Sequence, residues 1–288
     1  LGSVSFSGRN VRPSDVGTAI WSNKGSVTIH NLVSSTTGAD LDSTTGHLPG
    51  YIYMVQNSGT AVTDIMFNFA VASNAIQNSA ILSLRGKETD GVYKGKIVAK
   101  TTDGVKVVDG AELKLYNVAL ESDLSDQEET TATAIITVDS GGTLYMENES
   151  QDTITLTPQS GSAIVNSGTV TINKVTVDGT KKVAVDGTPS VRFLTNKGGE
   201  ATLIDVYVHD TSAATGGAIQ IDGGTVHVTG TDTVYTHDGH DGIRGTLFES
   251  SNAVTNGGAV YVASGASFNA GGYVTFDSNT AADGSGNG

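Results

Sequence analysis

The densest group of side chains suited to chemistry lies between residues 209 and 244. Four of the six histidines occur in this stretch, close to several aspartates and an arginine. Imidazole and carboxylate groups in one loop are typical ligands of zinc, manganese and similar ions. A glycosidase would instead use two carboxylates that face each other across the scissile bond. The candidate residues of this group are His209, Asp210, His227, His237, Asp238, His240, Asp241 and Arg244.

Neither kind of chemistry is the favoured interpretation of this group. Asp210 and Asp238 suit a glycosidase only if neighbouring elements place both carboxylates on one face. Aspartate and glycine are also the residues that turns require, and the stretch 237–244 is rich in both. We therefore predict a polar loop, with no catalytic and no metal-ligating residue, and treat the group as candidate binding residues.

The composition narrows the function classes further. The 288 residues carry 16 Lys and Arg against 30 Asp and Glu, a net charge of −14, which disfavours binding to nucleic acid or to an anionic membrane. The chain has no cysteine, which excludes disulfides, thiolate metal ligands and a cysteine nucleophile. No apolar run approaches the ~20 residues of a membrane-spanning helix. The 37 glycines, together with many Thr, Ser and Val residues, favour strands and turns.

A repeated pattern organises the chain around its glycines. A turn residue, a glycine and a small residue precede an apolar–any–apolar triplet, as in 109–115, 140–146, 197–203 and 222–228. From Gly25 to Gly265 the marker glycines make eight steps over 240 residues, a mean of 30 residues. The marker glycines are Gly25, Gly59, Gly86, Gly110, Gly141, Gly168, Gly198, Gly223 and Gly265.

A second marker, a small residue followed by Ala and Ile or Val, comes shortly before the glycine turn, as in 162–164 and 217–219. Each unit is therefore predicted to be a short strand, a glycine turn and a second strand, often with a third strand as in 174–177 and 205–208. Alternation predicts that Ile219 and Val226 are buried and that His227 faces solvent.

Units of about 30 residues cannot bury an apolar face alone, but stacked units can. Propeller blades are longer and usually carry a Trp-Asp signature, and immunoglobulin-type sandwiches do not repeat at this period. We predict an all-β fold, a single-stranded parallel β-helix solenoid of about nine coils, truncated at its C-terminal end. Residues 1–16 would be a partial coil or cap and 17–288 the repeats, with bulges at 36–50, 120–131 and 231–256.

Two short motifs carry a family resemblance. Residues 216–219 and 257–260 read Gly-Gly-Ala followed by Ile or Val, and 276–279 reads Phe-x-x-Asn. These motifs resemble the repeats of polymorphic membrane proteins of the chlamydial type, over less than a quarter of the chain. The resemblance implies a right-handed parallel β-helix, and an autotransporter passenger or virulence-associated adhesin at the bacterial cell surface. The motif also has a physical reason, because paired glycines permit a sharp corner and asparagine suits a turn or an amide ladder.

The expected function is therefore non-catalytic cell adhesion by an extracellular or secreted module of a longer polypeptide. Its partners would be glycans or proteins on host or microbial surfaces, with no nucleic acid, no membrane insertion by this segment and no cofactor beyond adventitious calcium. Tyr207, Tyr261 and Tyr145 are the predicted exposed contact aromatics. Two alternatives stay open: a polysaccharide lyase or hydrolase that uses 209–244, and an inert stalk. Convergence of the His, Asp and Arg group in one groove would favour the enzyme.

Overall fold

A computed structural model describes the backbone of the central and C-terminal repeats almost continuously. In the N-terminal third it describes the backbone of the strands. The described residues are 5–6, 20–22, 27–34, 54–56, 59–71, 80–86, 88–89, 92–93, 95–99, 105–107, 109–110, 112–122, 134–149, 154–180, 184–185, 188–237 and 240–281. Their side chains are described at 107, 109–110, 112–122, 134–149, 154–180, 190–237 and 241–281.

Strands are the regular element throughout the described residues, which contain no helix. In chain order the strands are Ser5–Phe6 (β1), Ile20–Ser22 (β2), Val27–Ser34 (β3), Met54–Gln56 (β4), Gly59–Val71 (β5), Ala80–Gly86 (β6), Glu88–Thr89 (β7), Val92–Tyr93 (β8), Gly95–Ala99 (β9), Val105–Val107 (β10), Glu112–Tyr116 (β11), Val118–Ser122 (β12), Ala134–Val138 (β13), Thr143–Glu147 (β14), Ile154–Thr157 (β15), Gly161–Asn166 (β16), Thr169–Asn173 (β17), Val175–Asp178 (β18), Ala184–Val185 (β19), Thr188–Pro189 (β20), Val191–Ile204 (β21), Tyr207–His209 (β22), Ser212–Ala213 (β23), Ile219–Gly230 (β24), Val234–His237 (β25), His240–Arg244 (β26), Thr246–Glu249 (β27), Asn252–Ala253 (β28), Val260–Val262 (β29), Ser267–Gly272 (β30), Val274–Asp277 (β31) and Thr280–Ala281 (β32).

Three parallel ladders run through the described repeats. The first ladder joins β10, β13, β16, the first half of β21, the first half of β24, and β29. The second ladder joins β6, β11, β14, β17, the second halves of β21 and β24, and β30. The third ladder joins β9, β12, β15, β18, β22, β27 and β31. Each strand therefore pairs with the corresponding strand of the next repeat.

The alternation in the sequence becomes columns of buried side chains, because parallel pairing keeps equivalent positions in register. In the second ladder every second residue points inward and is almost fully buried, while its neighbours stay partly exposed. One such column contains Leu113, Leu144, Val170, Ala201 and Val226. These columns form the core, and each repeat covers the apolar face of the previous one.

The Gly-Gly-Ala motif forms a tight corner between neighbouring repeats. Gly216 and Gly257 have φ angles of 60° and 68°, in the left-handed region that glycine adopts without strain. A Cβ on Gly217 would lie 2.2 Å from the carbonyl oxygen of Gly258, so no side chain fits there. Ala218 is fully buried behind this corner. The motif thus has the steric role expected from its sequence.

Buried polar side chains connect other corners. Asn166 donates from Nδ2 to Oδ1 of Asn196 at 2.7 Å, and Asn196 donates to the carbonyl of Gly223 at 2.7 Å. At the Phe-x-x-Asn motif, Asn279 accepts from the backbone N–H of Ser251 at 2.9 Å. Asn279 is therefore the turn asparagine that the motif predicts. The contact between two side-chain amides is found elsewhere, between Asn166 and Asn196 at the first ladder.

Short antiparallel hairpins interrupt the parallel order of the described strands at β7–β8, β19–β20 and β25–β26. The antiparallel hairpin β25–β26 lies between β24 and β27, with Val234 opposite Arg244. It occupies the first half of the predicted bulge at 231–256. In the second half, β27 belongs to the third ladder and β28 pairs in parallel with β23. The predicted bulge at 36–50, most of that at 120–131, and the predicted cap at 1–16 apart from β1 lie outside the described residues.

The prediction of an all-β chain with parallel strands is confirmed for the described residues. Ile219 and Val226 are fully buried, as their alternation predicts, and His227 keeps 43% of its side chain exposed. The third strands predicted at 174–177 and 205–208 correspond to β18 and β22.

Truncating a core column tests this packing. Leu203 is fully buried and aligned with Ile172 and Val228. Leu203→Ala should lower the free energy of unfolding by about 2–5 kcal/mol, because it removes buried methyl groups and leaves a cavity. Its neighbour Thr202 points outward, so Thr202→Ala should change stability by no more than about 1 kcal/mol. Denaturant unfolding of both variants measures the difference; equal losses would contradict the inward and outward assignment.

Candidate functional site

The outward face of the third ladder holds much of the polar group predicted from sequence. Tyr207 is aligned there with Thr176 of the previous repeat and Leu247 of the next. Two positions further along the strands is a second outward row, in which acidic residues flank a histidine. This acidic row contains Asp178, His209, Glu249 and Asp277.

Tyr207 and His209 form a closed network rather than an open site. Their rings stack with centroids 4.7 Å apart, and the Tyr207 hydroxyl donates to Oε2 of Glu249. His209 is hydrogen-bonded through Nδ1 to Oδ2 of Asp210 at 2.9 Å. Tyr207 is 1% exposed and His209 is 7% exposed. Tyr207 therefore differs from the expected exposed contact aromatic, because neighbouring elements cover its ring.

The hairpin β25–β26 supplies that cover through His237. This histidine is 2% exposed, and its Nδ1 is hydrogen-bonded to Oγ1 of Thr176 at 2.9 Å. Its ring lies 5.8 Å from the Tyr207 ring, measured between centroids. Burial lowers the pKa of His237 to about 4, although the nearby charge of Asp205 acts in the opposite direction. His237 is therefore neutral at physiological pH.

Asp205 fixes the root of the hairpin. It is 1% exposed and has a φ of 51°, a left-handed conformation that aspartate tolerates better than most residues. Its carboxylate accepts hydrogen bonds from the backbone N–H of Thr231 at 2.6 Å, from the Thr231 hydroxyl at 2.8 Å and from the Tyr235 hydroxyl at 3.0 Å. Lys174 Nζ lies 5.5 Å from the centre of the Tyr235 ring. Sequence analysis missed this residue, since a single aspartate near a turn carries no distinguishing pattern.

The other members of the predicted group lie elsewhere. Arg244 forms an ion pair with Asp232 and lies over the Tyr273 ring at 4.3 Å. Asp241 accepts a hydrogen bond from the Thr236 hydroxyl at 2.8 Å.

Two further predicted residues lie on other ladders. His227 belongs to the second ladder, with Nε2 at 3.9 Å from Oε1 of Glu200, and Tyr261 belongs to the first ladder, aligned with Gln220. Asp238 and the side chain of His240 lie outside the described residues. The structure thus brings His209 and His237 together around Tyr207, but not His227, Tyr261 or Arg244.

This arrangement is better suited to holding the hairpin than to chemistry. A polymeric substrate needs an open groove, and the rings of Tyr207, His209 and His237 are almost fully covered. Within the described ranges, no group of three or more His, Asp or Glu side chains has the geometry of a metal site.

A second polar surface, on the outward face of the second ladder, was only partly anticipated. Tyr116 and Tyr145 have ring centroids 5.7 Å apart. The Tyr145 hydroxyl donates to Oε2 of Glu147, and Asn173 donates from Nδ2 to Oε1 of the same carboxylate at 3.1 Å. Burial, followed by the hydrogen bond to Glu147, raises the pKa of Tyr145, so its phenol stays protonated. We call this set, with Glu149, the tyrosine–glutamate face.

The sequence contains the signal for this face, but it becomes visible only with the register. Lys114 is aligned with Tyr145, and Tyr116 with Glu147, because β11 and β14 are equivalent strands of successive repeats. Alternation alone places these side chains outward. Their convergence requires knowing which residues of neighbouring repeats are paired.

Arg192 is a structural cation that sequence analysis also missed. Its guanidinium donates to the carbonyl oxygens of Thr215 at 2.6 Å and Gly216 at 3.2 Å, and to the Thr195 hydroxyl at 3.2 Å. Burial lowers the pKa of Arg192 to about 10, so the side chain remains charged at neutral pH. It ties β21 to the Gly-Gly-Ala corner.

Comparisons with protein-family models, curated proteins and solved structures found no match. The resemblance to polymorphic membrane proteins therefore stays a prediction. In the part of the chain that the structure describes, no helix has the length and hydropathy of a membrane span.

Removing the Asp205 carboxylate tests the anchoring of the hairpin. Asp205→Ala should lower the free energy of unfolding by about 2–4 kcal/mol, because three donors lose their acceptor and alanine is strained at this φ. Asp277 is exposed and accepts a hydrogen bond from the hydroxyl of its neighbour Ser278 at 3.0 Å, so Asp277→Ala serves as the matched control and should cost less than about 0.5 kcal/mol. Thermal and denaturant unfolding would reveal the contrast. Similar small effects of both changes would disprove an anchoring role.

Proposed function

We propose that this chain is a right-handed parallel β-helix of about nine coils that serves as a non-catalytic adhesive module of a bacterial cell-surface or secreted protein. Its ligands are glycans or proteins on host or microbial surfaces. The observation that carries the proposal is the tyrosine–glutamate face, where two tyrosines and hydrogen-bonded polar side chains lie partly exposed on the outward face of the second ladder.

The β-helix is supported by the pairing pattern. Each strand of the three ladders pairs in parallel with a strand of the next repeat, and inward positions form continuous columns. A parallel connection of this kind is right-handed in nearly all proteins, which agrees with the hand implied by the family resemblance. The last strands carry partly uncovered apolar side chains: Phe276 is 36% exposed, whereas its aligned partner Phe248 is fully buried. The two rings stack with their centroids 5.1 Å apart, as expected for equivalent positions of successive repeats.

Adhesion is supported by the chemistry of the tyrosine–glutamate face. Tyrosine offers a rigid apolar ring and a polar hydroxyl, which suits contact with sugar rings and with protein surfaces. The Glu147 carboxylate is held by Tyr145 and Asn173, so its orientation is set before a ligand arrives. Parallel rows of such side chains favour weak contacts that are repeated along one surface.

The alternative activity, a polysaccharide lyase or hydrolase using residues 209–244, has less support. Tyr207 and His209 are buried, His237 is the residue of the hairpin that covers Tyr207, and Arg244 contacts Asp232 and Tyr273 instead of the two histidines. An inert stalk would not require a preorganised face.

We propose an extracellular location and no cofactor, with calcium binding at most adventitious.

Retention on immobilised polysaccharides and on whole cells tests this function. The protein should be retained without releasing sugar. The double substitution Tyr116→Ala and Tyr145→Ala should weaken retention about tenfold, the effect of removing an aromatic contact worth more than 1 kcal/mol.

Tyr261→Ala is the matched control, because this tyrosine lies on the first ladder, away from the tyrosine–glutamate face. Loss of retention in Tyr261→Ala alone would move the binding surface to the first ladder. Sugar release that disappears in His209→Ala would replace the adhesive function by the enzymatic alternative. Absence of retention on every surface would favour the inert stalk.

A further inference from the structure

The hairpin β25–β26 has one buried aliphatic side chain among its described residues, Ile243. Val234, which begins the hairpin, is 55% exposed. Its other contacts with the neighbouring repeats are polar or aromatic: Tyr235 with Asp205 and Lys174, His237 with Thr176 and Tyr207, and Arg244 with Tyr273. The stability of its docking therefore depends on the hydrogen-bonding state of these few groups.

Among the groups that hold the hairpin, His237 is the one whose protonation state changes most easily. Its Nδ1 is bonded to Thr176, and its buried Nε2 meets no hydrogen-bonding partner among the described residues. A neutral ring carries one N–H, whereas a protonated ring carries two and a full charge. In the docked position Nε2 is shielded from solvent, and no described residue supplies an acceptor for the second N–H. Protonation therefore opposes docking.

The charged groups around His237 come from several elements. Asp205 attracts a proton to the ring, but burial outweighs this attraction and lowers the pKa to about 4. Lys174 lies over the Tyr235 ring on the hairpin's inner side. Behind Tyr207, the third ladder carries a mixture of carboxylates and one imidazole: Asp178, His209, Asp210 and Glu249.

We propose that the hairpin β25–β26 is an acid-released cover, which docks on Tyr207 and Thr176 while His237 is neutral and detaches when His237 is protonated. Its release uncovers the Tyr207 ring, which then extends the partly exposed acidic row into a second contact surface. This regulation goes beyond the proposed function, because it acts on the third ladder and does not require the tyrosine–glutamate face to bind a ligand.

The pH range of release follows from linkage. In the open hairpin His237 takes an ordinary histidine pKa near 6.5, which is higher than in the docked state. The opening equilibrium therefore rises as the pH falls below about 6.5, by at most about tenfold per pH unit, and levels off below about pH 4. Between pH 7 and pH 5 the expected increase is roughly 20-fold.

Hydrogen exchange of the intact chain, read by mass spectrometry at pH 7, 6 and 5, tests the proposal. Protection is expressed relative to the intrinsic exchange rate at each pH. The peptides that contain β25 and β26 should lose protection roughly 20-fold between pH 7 and pH 5, while those of β14 and β17 keep theirs. His237→Gln keeps a hydrogen-bonding side chain without a titrating ring, so its hairpin should show no such loss.

His227→Gln is the matched control, because this exposed histidine lies on the second ladder, and it should behave as the wild type. If His237→Gln fails to dock its hairpin at pH 7, the ring of His237 is titrated by NMR in the unmodified protein instead. A titration well below pH 6.5 that coincides with the loss of protection supports the cover. The proposal would be overturned if protection stayed constant between pH 7 and pH 5, or if a docked His237→Gln hairpin kept the full pH dependence. It would also be overturned if the His237 ring titrated near pH 6.5 while the hairpin stayed protected.

Discussion

Parallel hydrogen bonding between equivalent strands of successive repeats is the constraint on which the rest of this structure depends. It keeps inward positions in register, so that apolar side chains form columns and each repeat covers the next. The same register determines which outward side chains become neighbours. Tyr116 joins Tyr145 and Glu147 on one surface for this reason, although it belongs to the previous repeat. A shift by one residue would place the core columns in solvent and disperse this surface.

Corners between the ladders impose a second requirement, because strands must turn sharply without leaving backbone groups unsatisfied. Glycine provides the conformation and the space at Gly216 and Gly217, while Asp205 adopts a positive φ and uses its carboxylate as an acceptor. Asn196 and Asn279 serve backbone groups of neighbouring repeats from buried positions. Glycine, aspartate and asparagine residues that the sequence alone would assign to loops are therefore part of the packed structure.

Local patterns predict the strands but not the surfaces that distant segments create. The alternation around Gly223 correctly predicts that Ile219 and Val226 are buried, and the glycine spacing predicts the parallel repeats that the structure contains. The burial of Tyr207 could not be predicted in this way. Its cover, His237, is 30 residues further along the chain in an antiparallel hairpin that breaks the repeat. The histidine-rich stretch looked like a site because its residue types suit chemistry, whereas the fold uses two of its imidazoles for packing.

Disulfide formation in a chain without native cysteines tests the inter-repeat register most directly. Thr171 and Thr202 are aligned on adjacent strands, and His227 is the next member of the same row. The account predicts that Thr171→Cys with Thr202→Cys forms a disulfide on mild oxidation, because one strand spacing of about 4.8 Å is within bonding reach. Thr171→Cys with His227→Cys spans two spacings, about 9.6 Å, and should remain reduced. Ready cross-linking of the 171–227 pair, with none in the 171–202 pair, would contradict the stacking on which every other conclusion rests.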